Sequence, residues 1–276
     1  AHMVYNFALP PLLLHTFYTE DATRLNAWLR DLEPPSGTTH FLNFLDSHDG
    51  MGLLAARGIL SSEEMQALVA RTRLHGGLIS YRTEPDGKEA PYEINITWYS
   101  ALNQEHSGEP LRAQVDRFLA SRAIAMALRG VPGIYLHSLF GTPNDREAVL
   151  RTGVKRDINR RTIDYDTLLA AMGDRTTSIA MILEGLTHLL HVRTQERAFH
   201  PRGVQRVLDV GPSFIGLIRQ SPEQDRTILA MTNITGHEEE VVVPMDKVPP
   251  SGSEWRDLLS AREWRVSENQ LFLRLR

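Results

Sequence analysis

The fold is decided by the segment Phe41-Leu42-Asn43-Phe44-Leu45-Asp46-Ser47-His48-Asp49-Gly50, in which a mostly apolar run precedes a polar turn. The apolar run predicts a buried strand. In α/β sheets and barrels, reactive side chains gather where parallel strands end. Asp46, His48 and Asp49 are therefore candidates for a polar-ligand site, while a simple strand-terminating turn, which Asp, Ser and Gly favour, is the alternative.

On either side of this segment, up to about residue 200, short apolar runs alternate with longer helical patterns, which predicts α/β units. A second strand is predicted at Gly133–His137. Helices are predicted from Ser61 to about Arg73, with Ser61 and Glu64 as a capping box, and over 109–128 and 177–192. The last of these is apolar on most sides and is expected to be buried.

After residue 200 the pattern changes to short β-type runs separated by Gly and Pro turn signals. Five such runs predict a small antiparallel β domain. They are Arg206–Val210, Phe214–Arg219, Thr227–Thr232, Glu240–Val243 and Leu271–Leu275. The stretch 51–109, with a glycine- and charge-rich loop at 84–90, is too long for a simple connection and indicates an insertion.

Composition excludes several classes of function. The 276 residues carry 30 Lys+Arg against 34 Asp+Glu, a net charge of −4, so no nucleic-acid partner and no anionic membrane surface is expected. Cysteine is absent, which excludes a disulfide framework and thiolate chemistry. No membrane span or signal peptide is recognised, so a cytoplasmic location is expected. Ala1-His2-Met3 is typical of a cloning scar.

Two further segments are candidates for binding. Arg156, Asn159 and Arg160 lie in a cationic cluster that could hold a phosphate or a sugar hydroxyl, or could be a solvated loop. Tyr92 and Glu93 place a ring beside a carboxylate, which suits a sugar but also ordinary core packing. No His–carboxylate cluster with ligand spacing predicts a metal, and no nucleotide fingerprint predicts a cofactor.

An ordered series of motifs in this chain resembles glycoside hydrolase family 13, the α-amylase family, in its sucrose phosphorylase-like form. The segment Phe44–Gly50 is similar to the last conserved motif of that family. The other matching segments, in chain order, are Tyr5–Pro10, Pro91–Asn95, Tyr99–Leu102, Gly130–Tyr135, Asn144-Asp145, Ile158–Arg160 and Ala198–Pro201.

The resemblance implies a fold: the carboxyl-terminal part of a TIM (β/α)8 barrel with an inserted α/β subdomain, followed by a small antiparallel β domain. It divides the chain into strands six and seven (4–50), the insertion (51–108), strand eight with its helices (109–203) and the β domain (204–276). A barrel opened before strand six exposes a sheet edge, with apolar surface expected from Leu12–Leu14 and Phe41–Leu45. A homo-oligomer through that edge is therefore expected.

The resemblance also implies a chemistry, retaining glucosyl transfer by a nucleophile and an acid/base. Both of those carboxylates would precede Tyr5. Within this chain, Asp49 matches the transition-state stabiliser, His48 a neighbouring hydroxyl donor, and Arg156 an arginine at the far end of the glucose. Tyr92 matches a mobile-loop tyrosine near phosphate or acceptor, and Glu93 stands where sucrose phosphorylases usually have glutamine, which puts the acceptor in doubt.

The function expected from the resemblance is the carboxyl-terminal portion of a retaining α-glucoside phosphorylase. Its substrates would be inorganic phosphate and an α-glucoside such as sucrose or glucosylglycerate, without a cofactor or metal. One alternative is a hydrolase or transglucosidase of the same family. Another, for these residues by themselves, is a non-catalytic carbohydrate-binding piece. The isolated fragment is expected to be inactive.

Overall fold

The computed structural model describes residues 2–34, 36–249 and 253–276. Its helices are α1 (Leu9–Thr19), α2 (Thr23–Asp31), α3 (Ser62–Leu74), α4 (Trp98–Leu102), α5 (Leu111–Ala127), α6 (Arg146–Thr152), α7 (Tyr165–Gly173) and α8 (Ser178–Gln195). Its strands are β1 (Met3–Tyr5), β2 (His40–Asn43), β3 (Met51–Gly52), β4 (Leu78–Thr83), β5 (Glu89–Asn95), β6 (Val131–Pro132), β7 (Val204–Leu208), β8 (Phe214–Gln220), β9 (Thr227–Asn233), β10 (Glu239–Pro244), β11 (Glu254–Arg256), β12 (Glu263–Ser267) and β13 (Gln270–Leu275). Within these residues the strands pair in the spatial orders β1-β2-β6, β3-β5-β4, β7-β8-β9 and β10-β13-β12-β11.

The sheet β1-β2-β6 is parallel, with Met3 opposite His40 and Leu42 opposite Val131. Because parallel neighbours need long crossovers, α1 and α2 connect β1 to β2, and the insertion with α5 connects β2 to β6. All three strands therefore end at the same edge of the sheet. The polar segment 46–50 follows β2 at that edge.

Buried polar contacts fix the spacing of these strands. The Asn43 side chain accepts a hydrogen bond from Asn6 Nδ2 at 3.0 Å and donates one to the Arg129 carbonyl at 3.1 Å. Next to it, Gly130 has a φ of +131°, and a Cβ there would lie 2.5 Å from the Phe41 carbonyl oxygen. Glycine is therefore required where the chain enters β6.

The predicted strand Gly133–His137 is wrong in position. The strand is only Val131–Pro132, and the chain then turns into a 3₁₀ helix over Leu136–Leu139. Pro132 has no N–H to donate, so the last ladder bond is made by Gly133, whose N–H donates to the Asn43 carbonyl at 2.7 Å. The Ser138 N–H then closes a turn on the Tyr135 carbonyl at 2.9 Å.

Residues 51–108 contain the predicted helix and a hairpin that the sequence did not predict. The capping box is confirmed: Ser61 Oγ accepts from the Glu64 N–H at 3.2 Å, and the Ser61 N–H donates to Glu64 Oε2 at 2.6 Å. The expected loop at 84–90 is the tip of the antiparallel pair β4–β5, where Gly87 has a φ of +80°. Across this pair, Ser80 and Tyr81 of β4 face Glu93 and Pro91 of β5. Tyr92 is therefore an extra residue that forms a β-bulge in β5.

The five predicted β runs after residue 200 are found as β7, β8, β9, β10 and β13, and all of their pairings are antiparallel. Two short strands, β11 and β12, were not predicted. They form a hairpin in which Trp255 lies opposite Trp264. A small core between the two sheets includes Phe214, Val243 and Leu271, separate from the larger core beneath the parallel sheet.

The expected exposed apolar surface is partly wrong. Leu12, Leu13 and Leu14 lie in the larger core, because α1 packs against α2, α3 and α4. Leu45 is also buried, and the rest of the expected second segment is half-buried apart from the buried Asn43. Exposed apolar side chains lie instead on Met3, Tyr5 and Phe7, which are 47%, 60% and 54% exposed.

Helix α8 does not have the burial that its sequence predicts. Among its residues only Ile182 and Leu186 are buried, since α5, α7 and two short 3₁₀ helices cover part of its surface. Contact with α5 is close at Gly185, where a Cβ would lie 2.4 Å from a methyl carbon of Leu119. Neither α8 nor any other helix in the described residues is long and apolar enough to cross a membrane.

Buried histidines predict how stability depends on pH. Desolvation lowers the pKa of His75, whose Nδ1 lies 3.2 Å from the Ser100 carbonyl, and it also lowers the pKa of His15. The unfolded chain therefore binds more protons than the folded chain below the ordinary histidine pKa of 6.5. The free energy of unfolding should fall as pH drops below about 6.5, by at most ~1.4 kcal/mol per pH unit for each histidine.

Urea unfolding at several pH values between 5.5 and 7.5 measures this slope. His75→Gln should flatten it, whatever its effect at neutral pH. His15→Gln should flatten it as well, because desolvation also lowers the pKa of His15. An unchanged slope in His75→Gln would contradict the assignment.

Candidate active site at the ends of the parallel strands

A cleft of about 230 Å³ opens at the carboxyl ends of β1 and β2. Its lining includes the charged residues Asp49, Glu93 and Arg156 and the aromatic residues Phe7 and Phe44. The remaining lining residues are Pro10, Leu45, Asp46, Ser47, Gly50, Met51, Gly52, Ile96 and Trp98. The site expected from Asp49, Glu93 and Arg156 is therefore a single cleft in the structure, although these residues are far apart in sequence.

Asp46 anchors the loop through hydrogen bonds to both of its carboxylate oxygens. Arg122 Nη2 donates to Asp46 Oδ1 at 2.9 Å, and Ser138 Oγ donates to Asp46 Oδ2. Arg122 is only 2% exposed, and its guanidinium lies near the faces of Trp98 and Phe118. Both carboxylate oxygens of Asp46 thus have a donor, and the base of the turn is tied to α5 and to the 3₁₀ helix after β6.

Asp49 presents its carboxylate to the cleft and is held by two arginines. Asp49 Oδ1 accepts from Arg156 Nη1 at 3.0 Å and from Arg160 Nη2 at 3.3 Å. The loop backbone is held as well, by Asn159 Nδ2 on the Asp49 carbonyl at 3.3 Å and by Arg160 Nε on the His48 carbonyl at 2.8 Å. With a side chain 42% exposed, Asp49 remains accessible to a ligand.

His48 lies at the rim of the same site. Its Nε2 is 3.6 Å from Asp49 Oδ2, and its side chain is 67% exposed. The imidazole is therefore free to reorient toward a bound molecule.

Arg156 joins Asp49 to Glu93. Glu93 is buried, with a side chain 7% exposed, and its two oxygens accept from Arg156 Nε at 3.1 Å and from Arg156 Nη2 at 2.6 Å. These hydrogen bonds, together with the charge of Glu93, raise the pKa of the Arg156 guanidinium further above its ordinary value. Arg156 is therefore a permanent cation with a fixed orientation.

The other cations of the predicted cluster also have partners. Lys155 Nζ donates to the Ile79 carbonyl at 2.8 Å, and Arg161 Nη2 donates to the Asn144 carbonyl at 3.1 Å. Asn159 is buried. The segment is thus folded onto the site and is not a solvated loop.

Tyr92 differs from the other predicted site residues. It is half-buried, it does not line the cleft, and the bulge in β5 sets its direction independently of the strand's alternation. In the described residues, no group of three or more His, Asp or Glu side chains is placed to hold a metal ion.

Sequence reasoning missed two parts of the site. One is the Arg122–Ser138 pair beneath the loop, since a lone arginine within a helix has no local signature. The other is an aromatic cluster of Tyr5, Phe7 and Phe44, in which Tyr5 and Phe7 stack at 5.5 Å and Phe44 meets Phe7 edge-on at 5.5 Å. The sequence signal for the cluster is the alternation of aromatic residues at positions 5 and 7.

The two aspartates of the loop should differ in their effect on stability. Asp46→Ala leaves the buried Arg122 charge without its carboxylate, and removal of one partner of a buried pair is expected to cost about 3–5 kcal/mol of unfolding free energy. Asp49→Asn should cost under ~1 kcal/mol, because that carboxylate is half exposed. Denaturant unfolding of both variants at one pH measures the difference, and equal losses would show that Asp46 is not the anchor.

The sequence is similar to those of several known phosphorylases. No protein-family model matches the sequence. The chain is 43% identical over 244 residues to the glucosylglycerate phosphorylase of Spirochaeta thermophila, covering 88% of this chain and 41% of that one. It is 41% identical to the glucosylglycerate phosphorylase of Allomeiothermus silvanus, covering 85% and 42%, and 32% identical to the sucrose phosphorylase of Agrobacterium vitis, covering 71% and 38%. The chain thus spans about two fifths of the length of these relatives.

Solved structures show the same fold. Sucrose 6F-phosphate phosphorylase from Thermoanaerobacter thermosaccharolyticum superposes with a TM-score of 0.71 at 22% identity, covering 96% of this chain and 48% of that one. The complex of AmyP with maltose superposes with a TM-score of 0.59 at 15% identity, covering 99% and 48%. The expected α/β architecture with antiparallel sheets is confirmed. The chain belongs to the sucrose phosphorylase-like group of glycoside hydrolase family 13.

Proposed function

We propose that this chain is the carboxyl-terminal portion of a retaining α-glucoside phosphorylase, comprising barrel strands six to eight, an inserted subdomain and a terminal β domain. The proposed boundaries are 4–50 and 109–203 for the barrel segments, 51–108 for the insertion and 204–276 for the β domain. The described residues form one parallel sheet of three strands, where a closed barrel has eight, which supports the proposal. So does the chain's coverage of about two fifths of its phosphorylase relatives.

The observation that carries the function is the placement of Asp49. Asp49 lines the cleft, and two arginines, Arg156 and Arg160, both donate to its Oδ1 atom. In this position it can accept hydrogen bonds from adjacent sugar hydroxyls and stabilise the positive charge that develops at the anomeric carbon. His48 at the rim can donate to a neighbouring hydroxyl, and Arg156 can contact the far end of the sugar.

The reaction that fits this site is transfer of glucose to phosphate. A nucleophilic carboxylate displaces the acceptor, whose oxygen takes a proton from the acid/base, and a phosphate oxygen then displaces the enzyme carboxylate to give glucose 1-phosphate. We place both of those carboxylates outside these 276 residues. Tyr92 is proposed to approach the phosphate or the acceptor. The reaction is proposed to need no cofactor and to take place in the cytoplasm.

We propose glucosylglycerate as the first α-glucoside to test, with sucrose as the comparison. The two relatives at 43% and 41% identity are named glucosylglycerate phosphorylases, while the sucrose phosphorylase of Agrobacterium vitis is 32% identical.

Activity is tested first on the chain alone. Because a retaining mechanism needs both a nucleophile and an acid/base, the chain should form no glucose 1-phosphate from glucosylglycerate or sucrose with phosphate. Turnover that survives repurification and disappears in Asp49→Asn would show that the catalytic pair is misplaced.

A chimera tests the role of Asp49 directly. This chain would replace the matching segment of the Spirochaeta thermophila enzyme, and phosphorolysis would be compared in the parental chimera and in Asp49→Asn. Loss of the charge should lower kcat/KM by about 10²–10³, while His48→Ala should have a smaller effect because it removes one hydrogen bond. Near-parental turnover in Asp49→Asn would make the segment an ordinary turn, and release of glucose instead of glucose 1-phosphate would favour a hydrolase.

Self-association is the expected behaviour of the isolated chain. Strand β1 has a free edge in the described residues, and Met3, Tyr5 and Phe7 expose apolar surface beside it. Sedimentation at increasing concentration should show homo-oligomers that Tyr5→Lys weakens, with Phe272→Lys as the control at a distant exposed residue. A monomer at all concentrations would overturn this expectation.

A further inference from the structure

We propose that Gly50 and Glu93 act together as a lock that holds the Arg156 guanidinium against Asp49. Glu93 would then be a positioning residue and not a ligand of the sugar or the acceptor. The meaning of the lock for catalysis rests on the proposed function, but its existence does not, since it is a property of this chain's own side chains.

The hydrogen bonds and the burial of Glu93 turn its carboxylate toward Arg156, with a side chain only 7% exposed. Its two oxygens take Arg156 Nε and Nη2, and the carboxylate is buried. A guanidinium bound along this edge has its plane fixed, because the two donors and the two acceptors form a fork. The remaining Nη1 then points to Asp49 Oδ1 at 3.0 Å.

Gly50 is the second half of the lock. A Cβ at this position would lie 2.4 Å from Glu93 Cγ, 2.7 Å from Cδ and 2.8 Å from Oε1. These atoms cannot move aside without losing the fork to Arg156. The φ of Gly50 is not in the left-handed region, so the backbone conformation does not require glycine there. The requirement comes from Glu93.

Gly52 offers a matched control. It lies two residues further on, directly opposite Glu93 in the β3–β5 pair, and a Cβ there would meet nothing within 4 Å. Alanine at position 52 therefore adds the same methyl group two residues away without entering the space of the Glu93 side chain.

The test uses the 276-residue chain with ¹⁵N-labelled arginine. The Nε–Hε resonance of Arg156, assigned by its loss in Arg156→Lys, reports the hydrogen bond to Glu93. Gly50→Ala and Glu93→Gln should both shift this resonance and speed its exchange with water by about tenfold or more, as expected when a charge-assisted hydrogen bond weakens. Gly52→Ala should leave it at the parental position and rate.

Thermal unfolding gives a second, independent measurement, which can be used even if one variant is too poorly folded for NMR. Gly50→Ala should lower Tm by about 3 °C or more when Glu93 is present, because the added methyl is overpacked. In a Glu93→Ala background the same substitution should change Tm by under ~1 °C, since the obstructing atoms are gone.

Three results would overturn the proposal: an unchanged Arg156 resonance in Gly50→Ala, an equal response in Gly52→Ala, or additive Tm changes in the Gly50–Glu93 cycle. None of these measurements involves turnover. Failure of the lock is therefore distinguishable from failure of the proposed function, which the chimera tests by its production of glucose 1-phosphate.

Discussion

The site depends on the ion pairs of Arg156. This one guanidinium contacts Asp49, 107 positions away, and Glu93, 63 positions away. The loop after β2, the strand β5 and the 3₁₀ helix over Lys155–Asn159 therefore have to pack in one arrangement before the cleft wall exists. Surface ion pairs usually contribute little to stability. Here the buried Glu93 binds the guanidinium through two hydrogen bonds, so the position of β5 fixes the arginine that contacts the loop.

A second arginine, Arg122, holds the same loop from a more buried position. Arg122 is buried beneath the same loop and neutralises Asp46, whereas Arg156 is 41% exposed and lines the cleft. The loop between the two aspartates is thus held at its base by a mostly buried ion pair and at its tip by a half-exposed one. Two aspartates three positions apart therefore lie in different environments.

Features that depend on neighbouring residues were predicted correctly from the sequence. Features that depend on contacts between distant segments were not. The capping box at Ser61 and the apolar β runs after residue 200 carry their information within a few residues, so the structure confirms them. The hairpin β4–β5 and the bulge at Tyr92 depend on pairing between strands, and Arg122 depends on a partner 76 positions away. Periodicity also showed that α8 is apolar, but not that its neighbours cover only part of it. Asp49 and Arg156 were candidates because one follows a predicted strand and the other lies in a cationic cluster, and the family resemblance then implied their roles. The contact of Gly50 with Glu93 is visible only in space.

The mixed lining of the cleft limits what it can bind. Asp49 and Arg156 supply charge and hydrogen bonds, while Phe7 and Phe44 supply apolar surface. A flat, uniformly apolar ligand would leave the charges unpaired, and a small anion would gain nothing from the rings. A pyranose would suit both kinds of lining residue, because its edge carries hydroxyls and its faces carry C–H groups. This mixed lining is the feature of the cleft on which the proposed binding of a sugar rests.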